Sequence, residues 1–374
     1  MLLVFVMIAF DFAIAERYVG MVEFVAQHQY PVHCCICALH PYSLYGIIFV
    51  EPFHHREEIT MKLLRNLLIL LLLLTMLPFA AAEEAVTYAP LEPWLRNRNP
   101  APAPYRPNPD NFLPDNGGYI DDSLSITIET TFWTQDVQRV ETQAEGVTRV
   151  LAIRVKLTDV TQFRTSLAEP YPSKQTASPI SVLVRSKGAL GINGDYFNYH
   201  SNGIIYRNGR QLRFDADSQR DLLIIDTQGD FHYLTPTTKT AWDEFIATGR
   251  EPLHTFWFGP SLVNADGTAI AEFDNSVGNA PWDPAQRMAI GQVGPLEYLI
   301  LCSEGPESRD FTGQGYSLAQ LSKLCVAFGM DNAYNLDGGS SATVILKDQK
   351  INSQSNPKLR PLGAIIYFAS LIPR

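Results

Sequence analysis

From residue 123 to residue 368 the apolar residues of this chain come in short runs, and the period within each run limits what it can become. Residues 123–130 (SLSITIET) alternate apolar and polar, the pattern of a half-buried strand, and residues 149–157 (RVLAIRVKL) repeat it. Residues 222–226, 298–301, 343–346 and 364–368 are short, largely apolar runs that also read as strands. Residues 318–328 differ. Leu318, Leu321, Leu324, Cys325 and Phe328 recur at spacings of three and four, a helical face, and Gly329 follows as a stop. Many strands and few helices, without regular alternation between them, predict an α+β fold. The expectation is a single domain on a mixed, mainly antiparallel β core with a few flanking helices.

The upstream part of the chain reads differently. Residues 61–82 (MKLLRNLLILLLLLTMLPFAAA) place Lys62 and Arg65 before an apolar run, then Pro78 and three small alanines. This is the tripartite pattern of a secretory signal peptide. The apolar core is shorter than the roughly 20 residues of a membrane span, and an uncleaved anchor is the competing reading. A signal peptide works at an N-terminus, so Met61 is the expected start and residues 1–60 an upstream extension. That extension holds Cys34, Cys35 and Cys37, with no second pair at zinc-finger spacing. Residues 83–122 are rich in proline and are expected to form an extended tether, which Trp94, Tyr105 and Phe112 could pin to the domain. The domain itself is expected over residues 123–374. Only Cys302 and Cys325 remain beyond residue 82, and one disulfide or two buried thiols both stay open.

Composition narrows the function classes. An apolar content of 46% with 18% charged residues is that of a globular protein, neither largely disordered nor a multipass membrane protein. A formal net charge of −10 argues against a nucleic-acid partner, while leaving room for a local basic pocket.

Five motifs carry candidate chemistry. Residues 333–343 (AYNLDGGSSAT) run a strand through Asn335 into Asp337, then Gly338, Gly339, Ser340 and Ser341. Glycines there admit a ligand close to the main chain, and successive N–H groups can form an anion-binding concavity. Residues 190–199 (LGINGDYFNY) end a strand at Asn193, Gly194 and Asp195 and add Tyr196, Phe197 and Tyr199, rings on which a sugar can stack. Residues 286–292 set Arg287 before an apolar strand. Residues 302–315 form a polar loop with Glu304, Arg309 and Asp310. Arg360 stands before Pro361. Taken singly, each is equally an ordinary turn or a surface arginine.

Their order is more informative. GINGDYF, FGPSLV, QRMAIG, a Glu-Gly loop, NLDGGSS and an Arg-Pro pair follow one another in a way that resembles the phosphodiester glycosidase family. The resemblance spans about residues 123–368. It departs from the family at Ser340, often Gly or Asn there, and at Glu304-Gly305-Pro306, where an Asp-Gly-Arg is common. It implies an exported hydrolase that cleaves a sugar C1–O–phosphate bond. The sugar implied is an N-acetylhexosamine of a cell-envelope or extracellular glycan, and family members are often labelled exopolysaccharide-biosynthesis proteins. Such a cleavage gathers positive charge on the sugar ring and negative charge on the departing phosphate. It therefore needs a carboxylate near C1 and cationic or N–H donors at the phosphate. Asp337 is the expected leading carboxylate, with Glu304 or Asp195 as the second. Arg287, Arg309 and Arg360 are expected at the phosphate, over a backbone cradle from Gly338, Gly339, Ser340 and Ser341. Asn193, Gly194, Tyr196 and Asn335 are expected to hold the sugar.

Other chemistries fit less well. Ser340 and Ser341 lack the G-x-S-x-G elbow of a serine hydrolase. No H-E-x-x-H or paired-cysteine motif points to zinc. No cofactor or metal is expected, a calcium-type cation on Asp195, Asp337 or Glu304 being left open. The expected partner is a carbohydrate phosphodiester, with no nucleic acid, and a membrane only through residues 61–82 if they stay uncleaved. The expected location is secreted or cell-envelope, outside the cytoplasm. A non-catalytic glycan-binding domain is the alternative, because the same aromatic residues would serve it.

Overall fold

The structure, a computed structural model of the chain, describes residues 104–216, 220–273, 281–305, 313–353 and 359–373. The upstream extension, the signal-like segment, most of the proline-rich stretch and Arg309 lie outside the described residues.

Seven strands form the largest sheet. Six follow in the order Gly118–Ile120, Leu124–Trp133, Thr148–Leu157, Glu297–Ser303, Met288–Gly294 and Tyr334–Leu336, and Arg139–Val140 pairs with the second. A five-stranded sheet runs Gln349–Lys350, Val344–Leu346, Leu190–Asn193, Ala364–Phe368 and Phe163–Leu167. Phe231–Leu234, Leu222–Asp226 and Pro252–Phe256 form a three-stranded sheet, and Ile205–Arg207 makes a hairpin with Arg210–Arg213. Every pairing among these strands is antiparallel.

Strand alternation explains the layering. In Thr148–Leu157, Leu151, Ile153 and Val155 enter one buried cluster while Val150 and Ala152 enter another. In Glu297–Ser303, Tyr298, Ile300 and Cys302 join the first, and Leu299 and Leu301 the second. The first cluster also takes Ile192, Val344, Ile366 and Phe368, so it is the core shared by the seven- and five-stranded sheets. Strands buried on both faces need apolar residues at successive positions; residues 298–301 read that way, whereas residues 149–157, expected to alternate as a half-buried strand, are buried on both faces through Val150, Leu151, Ala152 and Ile153.

Among the described residues three α-helices cover outer faces: α1 (Pro179–Arg185), α2 (Lys239–Ala247) and α3 (Leu318–Ala327). Leu318, Leu321, Leu324 and Cys325 of α3 pack on Val150, Ala152, Leu299 and Leu301. Each such leucine, fully buried, contributes about 1.5–3 kcal/mol. A capping box between Ser317 and Gln320 starts α3, and Gly329 at φ +75° ends it, as the helical period predicts. Val182 and Leu183 of α1 cover Ile345, Ile365 and Tyr367 on the far face of the five-stranded sheet. Trp242 and Phe245 of α2 pack on the three-stranded sheet. The architecture is α+β.

The folded region begins upstream of residue 123. Gly118–Ile120 pairs with Leu124–Trp133, and Tyr105 N–H donates to the Ser370 carbonyl at 3.0 Å. Asp121 accepts from Ser123 and Leu124 main-chain N–H groups, both at 2.8 Å, and so turns the chain between the first two strands. Proline density does not prevent these contacts, since Pro109 and Pro114 each open a single 3-10 turn. Cys302 and Cys325 are free thiols in different clusters on opposite faces of the large sheet. No helix among the described residues is long and apolar enough to cross a membrane.

Candidate active site

Two strand ends from two sheets meet at Asn193. This residue closes a strand of the five-stranded sheet, and Asp337 follows the edge strand Tyr334–Leu336 of the seven-stranded one. The buried Asn193 side chain donates from Nδ2 to the Asp337 carbonyl at 2.6 Å and accepts Thr343 N–H on Oδ1 at 3.0 Å. Asp337 N–H donates to the Gly194 carbonyl at 3.3 Å. An amide with both donor and acceptor is what such a splice needs. Asn193 therefore stitches the two motifs together through main chain.

A small pocket opens at this splice, of about 20 Å³, lined by Asn193, Gly194, Asp195, Tyr196, Tyr199, Asp337, Ser341 and residues 360–364. Desolvation raises the Asp337 carboxyl to about 6; the Ser341 hydroxyl, the Arg360 charge and the Gly338 N–H offset part of that rise. Arg360 is exposed at the rim and donates from Nη1 to Ser340 Oγ at 3.0 Å. Tyr199 is 56% exposed, its ring edge-on to the half-buried Tyr196.

Asp195 sits in the pocket wall with both oxygens engaged. Oδ1 meets Arg207 Nη2 at 2.5 Å, and Oδ2 accepts Trp257 N–H at 3.0 Å. Arg207 is itself buried. Its guanidinium lies 4.8 Å from the Phe197 and Phe256 ring centres and donates to the Tyr206 and Thr255 carbonyls. Arg207 is a site residue that sequence reasoning misses. It precedes an Asn208-Gly209 hairpin turn, with φ of 52° and 79°, and nothing local says that it points inward.

The remaining expected residues are placed as follows. Glu304 is fully buried and not in the pocket wall. Its Oε1 accepts from Arg149 Nη2 and Ser353 N–H, both at 2.8 Å, and its Oε2 from Gln286 Nε2 at 3.0 Å. Arg287 is also buried away from the pocket wall. It donates to the Tyr316 carbonyl from Nε at 2.9 Å and to the Asp283 carbonyl from Nη2 at 2.8 Å. Desolvation lowers the Arg287 guanidinium to about 10. Asn335 donates to the Gly259 carbonyl at 2.8 Å, outside the pocket lining. In the expected backbone cradle, Gly339 N–H is bound to the Gln286 carbonyl and Ser341 N–H to the Gly338 carbonyl. The structure thus brings together Asp337, Asp195, Asn193, Gly194, Tyr196, Ser341 and Arg360. It sets Glu304, Arg287 and Asn335 into neighbouring framework. Among the described residues no group of three His, Cys, Asp or Glu side chains is arranged to hold a metal ion.

The family model described as Phosphodiester glycosidase matches residues 186–369. The fold is similar to the catalytic domain of zebrafish N-acetylglucosamine-1-phosphodiester alpha-N-acetylglucosaminidase, solved auto-inhibited by its pro-peptide. The TM-score is 0.53 at 18% identity, over 67% of this chain and 84% of that one. A hypothetical protein from Synechocystis matches with a TM-score of 0.50 at 13% identity, over 67% of this chain and 62% of that one. An uncharacterized protein of Invertebrate iridescent virus 6 is 33% identical over 22% of this chain, which spans only 8% of that viral protein. The match and the order of the motifs within it agree, and they place residues 186–369 in the phosphodiester glycosidase family.

Proposed function

We propose that the chain hydrolyses sugar-1-phosphodiesters, with Asp337 as proton acceptor. The observation that carries this is the meeting of Asp337, Asp195 and Arg360 around one pocket. The enclosed volume suits about one water molecule. The sugar would lie across the mouth, against the exposed Tyr199 and beside Arg360, with the attacking water inside.

The two carboxylates suit different tasks because their surroundings differ. Asp337, raised to about 6, is a stronger base than an ordinary carboxylate and is still ionised at neutral pH. Asp195, with its oxygens held by Arg207 and Trp257, is a carboxylate fixed in the wall beside the oxocarbenium-like ring, its charge largely offset by Arg207. In the step, the water oxygen bonds to C1 as the C1–O bond to phosphate breaks. The water proton passes to Asp337, and the bonding pair leaves with the phosphate against the Arg360 guanidinium, whose planar fork suits phosphate oxygens. The products are a free sugar and a phosphate monoester. The step calls on no cofactor and on neither Glu304 nor Arg287.

The signal-like residues 61–82 support a setting outside the cytoplasm. The activity in the zebrafish protein's name supports an N-acetylhexosamine as the sugar. The test is incubation with a panel of glycosyl phosphodiesters and nucleotide sugars, with products and their anomeric configuration followed by NMR. Release of free sugar with a phosphate monoester is expected. Binding without release across the panel would overturn the proposal in favour of a glycan-binding domain.

A further inference from the structure

A second concavity shares no lining residue with the Asp337 pocket. It encloses about 790 Å³, within the roughly 300–1,000 Å³ of small-molecule sites. The strand Phe231–Leu234, helix α2 and residues 261–270 and 331–332 contribute its walls. Three features define its chemistry. The lining carries the carboxylates Asp221, Glu244 and Asp331 and no Lys or Arg, which disfavours an anion. The partly exposed Tyr233 brings aromatic surface, and its hydroxyl is fixed by Asn332 Oδ1 at 3.0 Å. Ser261, only 6% exposed, has a buried Oγ with no hydrogen-bond partner among the described residues. A buried hydroxyl left unpaired costs about 1–3 kcal/mol, and turning the Ser261 side chain toward a ligand hydroxyl in the concavity would recover part of that cost.

Its position adds a connection. Ser261 bridges to Tyr334 in the strand that leads to Asp337, and Asn335 N–H donates to the Pro260 carbonyl at 3.0 Å. At the other end of this short segment, the Phe258 ring lies 5.0 Å edge-on to Tyr196 of the Asp337 pocket. One stretch of four residues thus lines one hollow and packs on a wall residue of the other.

We propose that this concavity is a second saccharide-binding site, which takes a sugar segment bearing no negative charge. Aromatic surface serves the C–H faces of a sugar, while the carboxylates and the Ser261 hydroxyl serve its O–H and N–H groups. The proposal stands apart from the catalytic reading, because it concerns binding alone.

The test is calorimetric titration of the full chain carrying Asp337→Asn, so that turnover does not intervene. The probes are N,N′,N″-triacetylchitotriose, the glucosamine trimer and trigalacturonate. The first two are expected to bind and the anionic trimer not to. Ser261→Ala is expected to weaken chitotriose binding about fivefold, the equivalent of one hydrogen bond of about 1 kcal/mol. The exposed Glu244→Arg, which leaves the core untouched, is expected to weaken the glucosamine trimer more than chitotriose. Absence of binding by either uncharged or amino probe at millimolar concentration would overturn the proposal. So would equal binding of trigalacturonate, or affinities unchanged in both variants.

Discussion

Arg207 and Asp195 form a buried ion pair, Nη2 to Oδ1 at 2.5 Å, with side chains 3% and 1% exposed. Two phenylalanine rings flank the guanidinium, so the pair is both desolvated and fixed. Removing one partner of such a pair leaves an uncompensated charge and costs about 3–5 kcal/mol. Arg207→Met is therefore expected to lower the urea midpoint sharply. The double variant Arg207→Met with Asp195→Asn should recover much of the loss, because no charge is then stranded. A double variant no more stable than the single one would show that the two residues are not energetically coupled.

The Asp337 carboxyl predicts two pH effects of opposite sign. Its folded value, about 6, lies above the ordinary 3.8, so between these values the folded state binds more protons than the unfolded chain. Stability falls as pH rises through that window. Asp337→Asn removes the buried charge, and should raise the melting temperature at pH 8 and hardly change it at pH 3.5. Activity should run the other way. With Asp337 as base, wild-type kcat/KM climbs as pH rises through about 6, and Asp337→Asn abolishes that limb together with turnover. Thermal melts at the two pH values and a pH–rate profile check both.

Arg360 and Arg287 should separate cleanly in kinetics. Arg360 is exposed at the pocket rim, so Arg360→Ala should change stability by no more than about 0.5 kcal/mol. It should raise KM for a phosphodiester about tenfold or more. It should also move the acidic limb to higher pH, because the Arg360 charge holds Asp337 down. Arg287 ties the main-chain carbonyls of Tyr316 and Asp283. Arg287→Ala should lower the melting temperature and leave the KM of the folded fraction nearly unchanged. The reverse pattern would return Arg287 to the phosphate.

The contrast shows where the sequence is legible. Short strands buried on both faces announce themselves as apolar runs, and α3 by its spacing and cap, because those signals are local. The Asn193-Gly194-Asp195 and Asp337-Gly338-Gly339 turns are legible for a local reason too, since each sets Gly and Asp directly after a short strand. Glu304 is different. Its oxygens are spent on Arg149 and Ser353, 155 and 49 residues away, and no local pattern announces a burial so remote in sequence. Arg207 hides in an ordinary hairpin until the fold lays it beneath Asp195. Residues 104–122 look like a spacer by composition, yet Asp121 and Tyr105 tie them to the sheet and to Ser370.

The two glycine motifs make a final, purely steric prediction. A Cβ on Gly338 would stand 2.6 Å from the Gln286 carbonyl oxygen, the same oxygen that accepts Gly339 N–H at 2.9 Å. The Gly338 backbone, at φ −123°, is open to any residue, so the obstacle is contact and not conformation. Main chain meets the added methyl, and neither side can swing away. Gly338→Ala must therefore push the loop off Gln286 and carry Asp337 with it. Gly194 offers the control. Its Cβ would meet the Phe256 ring at 3.5 Å and the Ile366 side chain at 3.8 Å, ordinary packing distances. Gly338→Ala is expected to cost about 1–3 kcal/mol and nearly all activity, whereas Gly194→Ala should stay within about 0.5 kcal/mol and a few-fold in kcat/KM. Equal losses in the two variants would mean that Asp337 does not depend on the contact between its loop and Gln286.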